Sequence, residues 1–187
     1  MELPASQLAC ARRGDRDALG ALVRHYQDRV YAVCVACAGP DAEDCAQDAL
    51  VKVLAAVHRF DPAGSASLGG WILAITRRVC IDRARSARVV RHRELEIDGL
   101  ATVDRADAAA TCRERGEQVR SAVLALPDDQ RAAITMREWG ELDYEEIASI
   151  EGVPIGTVRS RIARARDALR AALSPLFDES EVRDVGR

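Results

Sequence analysis

Lysine is almost missing from this chain. Among 27 basic residues in a total of 187, Lys52 is the single lysine, so positive charge is carried by arginine, whose planar fork suits phosphates and base edges. No apolar run approaches the ~20 residues that a membrane-crossing helix needs. The opening MELPASQLACARRGDRDALG lacks a basic start followed by an apolar stretch, so a cytoplasmic protein with no membrane contact of its own is expected. Strand-like alternation and Asn-Gly or Asp-Gly hairpin turns are missing too, which argues against a sheet. Three histidines (His25, His58, His92), no Gly-rich phosphate loop and no nucleophile elbow leave too few parts for an active site. No catalytic residue, no cofactor and no metal are therefore expected.

What is present reads as helix. With 48% hydrophobic and 30% charged residues the chain should fold, and its apolar residues recur at steps of three and four. Helices are predicted over Ser6 to Arg12, Arg16 to Ala38, Ala42 to Phe60, Leu68 to Ala87, Arg113 to Ala125, Pro127 to Trp139, Asp143 to Ile150 and Ile155 to Leu173. FDPAGSASLGG, Phe60 to Gly70, reads as a loop. ELEIDGLATVDRADAAA, Glu94 to Ala110, is acidic, lacks an apolar period and reads as a linker. The expected fold is all-α: two small helical domains joined by a flexible linker, the C-terminal one a helix-turn-helix domain. The divisions are 1–92, a linker at 93–112, a second module at 113–177 and an acidic tail at 178–187.

Six cysteines (Cys10, Cys34, Cys37, Cys45, Cys80, Cys112) are many for a reducing compartment. CVAC puts Cys34 and Cys37 on one side of a helix, with Cys45 and His25 as conceivable further zinc ligands or partners in a thiol switch. No second CxxC or HxxxH completes a site, so the preferred reading is small apolar core residues.

The segment VPIGTVRSRIARAR carries the strongest local signal. At ~100° per residue, Val158, Ile162, Ala165, Leu169 and Leu173 fall on one stripe, the face to be buried. Thr157, Ser160, Arg161 and Arg164 project opposite, with Arg159, Arg166 and Arg170 between. Upstream, LDYEEIASIEG gives a short helix, a turn at Gly152, and Pro154 where a helix start tolerates proline. A helix, a glycine turn and an arginine-faced second helix form a helix-turn-helix suited to the major groove. The net charge of -3 does not oppose this, because local fields decide where nucleic acid sits. Arg77, Arg78, Arg83, Arg85, Arg88, Arg91 and Arg93 make a second basic strip opposed by Asp82 alone, and the acids collect elsewhere.

DAEDCAQDALVKVLAAV, Asp41 to Val57, has an apolar arc of Ala42, Ala46, Ala49, Leu50, Val53, Ala56 and Val57. Asp44, Gln47 and Asp48 face outward around an exposed Val51, a pattern that suits a protein partner with a basic helix.

With these pieces in order the chain resembles the sigma-70 family, specifically its small two-domain extracytoplasmic-function (ECF) type. The resemblance rests on GDRDALGALVRHYQDRVYAV, DAEDCAQDAL and GWILAITRRVCIDRARSAR in the first module. In the second it rests on LPDDQRAAITMREWGELDYEEIASIEGVPIGTVRSRIARARDALR. It implies that Asp44, Gln47, Asp48 and Val51 clasp the beta-prime coiled coil of core RNA polymerase, with the beta flap as a further contact. It implies that Trp71, Arg77, Arg78, Asp82, Arg83 and Arg85 capture the minus-ten element as a single strand. Thr157, Arg159, Ser160, Arg161, Arg164 and Arg166 would hold the minus-thirty-five duplex. It further implies that promoter DNA and an anti-sigma factor are partners. Two departures stand out: Arg78 of ITRR replaces the family's usual asparagine, and Leu68 sits where an aromatic is common. Two other readings stay open, a helix-turn-helix regulator of another class and a polymerase-binding decoy.

Overall fold

A computed structural model describes residues 3–64, 66–93 and 110–181, with side chains placed outside 87–93, 110–115 and 175–181. Residues 94–109 of the expected linker and the last residues of the expected tail lie outside the described residues, as does the side chain of Cys112, while 93 and 110–112, expected in the linker, are helical. Among the described residues there are eight α-helices and no strand. They are α1 (Ala5–Arg12), α2 (Arg16–Ala38), α3 (Ala42–Ala56), α4 (Leu68–Arg93), α5 (Ala110–Leu124), α6 (Asp128–Glu138), α7 (Tyr144–Glu151) and α8 (Ile155–Glu181).

The ends follow local chemistry. Asp15 caps α2 by accepting from the Ala18 amide at 2.8 Å. Asp143 and Glu146 close a reciprocal capping box on α7, which ends on Gly152 in the left-handed conformation at φ 66°. α3 tightens into a 3-10 turn, Val57–Arg59, before Phe60. Three helices outrun the sequence-based expectation by three residues or more, α5 by starting at Ala110 rather than Arg113. α4 continues past Ala87 to Arg93, because ARSARVVRHR holds neither glycine nor proline to stop it. α8 continues past Leu173 to Glu181, so the start of the acidic tail is helical.

The helices share one core. Leu22, Tyr26, Val30 and Val33 of α2, Val53 of α3 and Ile72 and Leu73 of α4 are fully buried. They run without interruption into Ile134 and Met136 of α6, Ile147 of α7 and Val158 and Ile162 of α8. The expected buried stripe of α8 is therefore in place, with Leu169 partly covered.

Several contacts join α1–α4 to α5–α8. A Cβ added to Gly140 would stand 2.4 Å from the Met136 carbonyl and 2.7 Å from Leu73 Cδ1, so the close approach of α4 to the α6 end depends on glycine there. Arg131 of α6 reaches across to donate to the Ala36 carbonyl at the end of α2. It also donates to the Leu124 and Leu126 carbonyls at 2.7 and 2.9 Å. Arg29 pairs with Glu141 at 2.7 Å. Ser67, in the loop before α4, donates to Glu146 of the α7 capping box.

Candidate nucleic-acid and partner interfaces

Three surfaces carry the residues singled out in the sequence. The first is the outer face of α3. Asp44, Gln47, Asp48 and Val51 are all exposed, and Val51 at 64% is the most exposed large apolar side chain described. Cys45, Ala46, Ala49 and Val53 turn inward, so the helix separates a core face from a small polar patch with an apolar centre.

The second surface is α4. Arg78, Asp82 and Arg85 form an exposed stripe at steps of four and three residues. The other members are engaged within the molecule. Trp71 is half-buried, its ring 5.4 Å from that of Phe60. Arg83 crosses to α3, 2.8 Å from Asp48 and 3.7 Å from Asp44. Arg77 donates to Glu151 at 2.7 Å, with side chains only 18% and 9% exposed. Burial alone would lower the Arg77 pKa, but the Glu151 carboxylate outweighs it and the net shift is upward.

The third surface is α8 behind the Gly152 turn. Pro154 precedes it, its carbonyl accepting from the Thr157 and Val158 amides at 2.9 and 3.3 Å. Arg159, Arg164 and Arg166 are exposed, and Thr157 and Ser160 are half-covered. Ser160 donates to the Thr157 carbonyl at 2.9 Å, and Arg166 pairs with Glu138 at 2.7 Å. Arg161 differs from the expectation of a free outer side chain. It lies 3.0 Å from Asp129 at the α6 start and 4.0 Å from Glu151, and is 19% exposed.

The charge pattern also differs from simple segregation. Acids of the second half meet arginines of the first: Glu151 meets Arg77 and Glu141 meets Arg29. Glu151, Asp129 and Glu146 carried no signal in the sequence, because each looked like an ordinary acidic residue near a helix end. One carboxylate, that of Glu151, stands between an arginine of the α4 strip and an arginine of α8.

Comparison with known proteins decides the family. Residues 22–89 match the model of Sigma-70 region 2, and residues 116–169 match that of Sigma-70, region 4. The RNA polymerase sigma-H factor of Pseudomonas aeruginosa is 33% identical over 90% of this chain and 93% of its own length. The chain belongs to the sigma-70 family, in its ECF branch. The ECF RNA polymerase sigma factor SigW of Bacillus subtilis is 30% identical over 88% of this sigma factor and 94% of its own length. The ECF RNA polymerase sigma-E factor of Escherichia coli is 32% identical over 89% and 92%. Among solved structures, the fold is shared with RpoE of Bartonella quintana, in its complex with the anti-sigma factor NepR. The TM-score is 0.67 at 24% identity, covering 83% of this chain and 96% of that one. CnrH, in complex with the cytosolic domain of CnrY, aligns with a TM-score of 0.58 over 90% and 96%. In this fold α3 and most of α2 and α4 lie within the region 2 match, and α6, α7 and most of α8 within the region 4 match. Members of this family are transcription initiation factors.

Proposed function

We propose that this sigma factor docks on core RNA polymerase through Asp44, Gln47, Asp48 and Val51 and selects promoters with α4 and α8. The chain itself catalyses nothing, and it acts in the cytoplasm, where polymerase and promoter DNA are. The units that act are 1–92 and 113–177. The observation that supports this reading best is the pairing of an α7–Gly152–α8 helix-turn-helix with exposed Arg159 and Arg164 and a separate acidic patch around an exposed valine. The first suits a charged duplex and the second a protein.

The packing of the two halves adds a condition. Arg77 and Arg161 are held by Glu151 and Asp129, so neither guanidinium is free for phosphate. The partners of Arg161 lie on its own half, but engagement of DNA by Arg77 requires the halves to part, and polymerase, by binding them separately, would hold them apart. An anti-sigma factor would favour the packed form. Between α2, α5 and α6, exposed Tyr31, Leu124 and Trp139 rim an apolar cavity of about 610 Å³. A helix from an anti-sigma factor suits that surface, and the Bartonella quintana RpoE structure above is a complex with an anti-sigma factor, NepR.

The test is run-off transcription with purified core polymerase, genomic DNA from the source organism and this protein as the added factor. Discrete transcripts dependent on the protein are expected, with aligned minus-ten and minus-thirty-five elements upstream. Binding to core polymerase without transcripts would instead support a decoy.

A further inference from the structure

Neither polymerase docking nor promoter reading uses a knot of thiols at the centre of the first half. Cys34 of α2, Cys45 of α3 and Cys80 of α4 are each at most 1% exposed, and their three sulfurs lie within 4.8 Å of one another. Cys45 Sγ is 3.3 Å from Cys80 Sγ, which is 3.9 Å from Cys34 Sγ. Cys37, one turn beyond Cys34, stands outside that trio and lines a small cavity together with Cys80. The sequence offered Cys45 and His25 as companions of CVAC; the structure brings Cys45 there together with Cys80, while His25 packs edge-on to Tyr26 at 4.8 Å.

Packing alone does not require this convergence, since alanine and valine fill the neighbouring core positions. The spacing has a specific chemical counterpart. A tetrahedral zinc ion holds thiolates at ~2.3 Å, which separates the sulfurs by roughly 3.8 Å, and the two measured separations bracket that edge. We propose that Cys34, Cys45 and Cys80 hold Zn²⁺, with Cys37, which lines the adjacent cavity with Cys80, turning in as the fourth thiolate, contrary to the metal-free expectation from sequence.

Electrostatics fit the assignment. Burial, then a hydrogen bond with Cys80, pushes the Cys45 thiol up to about 12. The hydrogen bond with Cys34 leads the causes that push Cys80 up to about 11. Neutral buried thiols of this kind are slow nucleophiles and slow to oxidise, whereas a divalent cation among them supplies the charge that lets the protons leave. Binding one Zn²⁺ releases the four thiol protons to solvent and leaves a net charge of about -2 on the cluster. Two guanidiniums stand by to offset it: Arg77 acts electrostatically on Cys37, and Arg83 on Cys45. A small cavity of about 200 Å³, lined in part by Cys37, Arg77, Cys80 and Ile81, gives an entry path from the surface. The bound ion would tie α2, α3 and α4 together directly beneath Asp44, whose neighbour Cys45 is a ligand.

Full-length reduced protein, stripped of metal, should develop intense thiolate-to-cobalt absorption and tetrahedral visible bands on titration with Co²⁺. The signal should saturate at one equivalent and be displaced by Zn²⁺. Cys45→Ala and Cys80→Ala should lose the bands while keeping wild-type helicity by circular dichroism, and Cys10→Ser should keep them. Proton release from the wild type reads the same site without any variant, with about four protons per zinc expected. Reduced wild-type protein that shows no cobalt bands and releases no protons overturns the site. Bands that persist at full intensity in Cys45→Ala overturn it as well, as does a Cys45–Cys80 disulfide formed under mild peroxide by protein that never takes up cobalt.

Discussion

The outer face of α3 and the reading face of α8 stand in different states of readiness. Asp44, Gln47, Asp48 and Val51 are open to solvent, and among the described residues the guanidinium that pairs with the acids, Arg83, lies on the same half. On α8, Arg161 is drawn against Asp129 and Glu151, the second of which also holds Arg77 of the opposite half. A protein partner could dock on α3 without disturbing the packing, but DNA could not take Arg77 without breaking the pair that joins the halves. Under the proposed function polymerase would dock first and the promoter second, because the Arg77–Glu151 pair crosses between the halves.

The largest expected effect tests the α8 side. Replacing Arg161 and Arg164 together with alanine should weaken minus-thirty-five binding by on the order of 100-fold or more, since charge-assisted contacts contribute ~1.5–3 kcal/mol each. Unchanged affinity in a fluorescence-anisotropy titration would remove α8 from that role. The α3 side comes next. Asp44→Arg with Asp48→Arg should lower affinity for core polymerase at least about tenfold, because like charges now meet the basic partner helix. Helicity should be unchanged, since both side chains are exposed; equal competition with wild type for core enzyme would dissolve the contrast.

Glu151→Gln acts on the link between the two surfaces. Freed of its carboxylate, the packing should lose roughly 2 kcal/mol, between the values for exposed and buried pairs. Binding of the isolated protein to promoter DNA should rise about fivefold or more. Destabilisation without any gain in DNA binding would mean that the crossing pairs hold the fold but do not gate it. Gly140→Ala is the mildest change, expected to cost about 1–3 kcal/mol by overpacking Leu73 and the Met136 carbonyl. It should appear in thermal melts while leaving the affinity of the α3 face for polymerase unaltered.

The parts of this arrangement legible in the sequence are those set by local periodicity and capping. The stripe of Val158, Ile162 and Ala165, the Gly152 turn and the outward Asp44 and Asp48 depend on residues within a few positions of one another, and helix geometry alone fixes their faces. Arg77 and Glu151 are 74 positions apart, and Ser67 and Glu146 are 79 apart. Such meetings are decided by which helices dock, and no local period encodes docking. The same reason explains the thiols. CVAC is visible as a helical pair, but Cys80 joins it only because α4 crosses α2 and α3 at that level, and His25, nearer in sequence, faces elsewhere.

The bonds made by Arg131 carry a consequence for how this molecule tolerates change over evolutionary time. Its donors reach the Ala36 carbonyl in one half and the Leu124 and Leu126 carbonyls in the other. Those acceptors belong to the main chain, and no codon change at positions 36, 124 or 126 deletes a carbonyl oxygen. The ion pairs around it can be lost from either end, since each needs two particular side chains. The Arg131 clamp is exposed to mutation from one end only, so drift in the surrounding sequence can erode charge pairing while this tie persists.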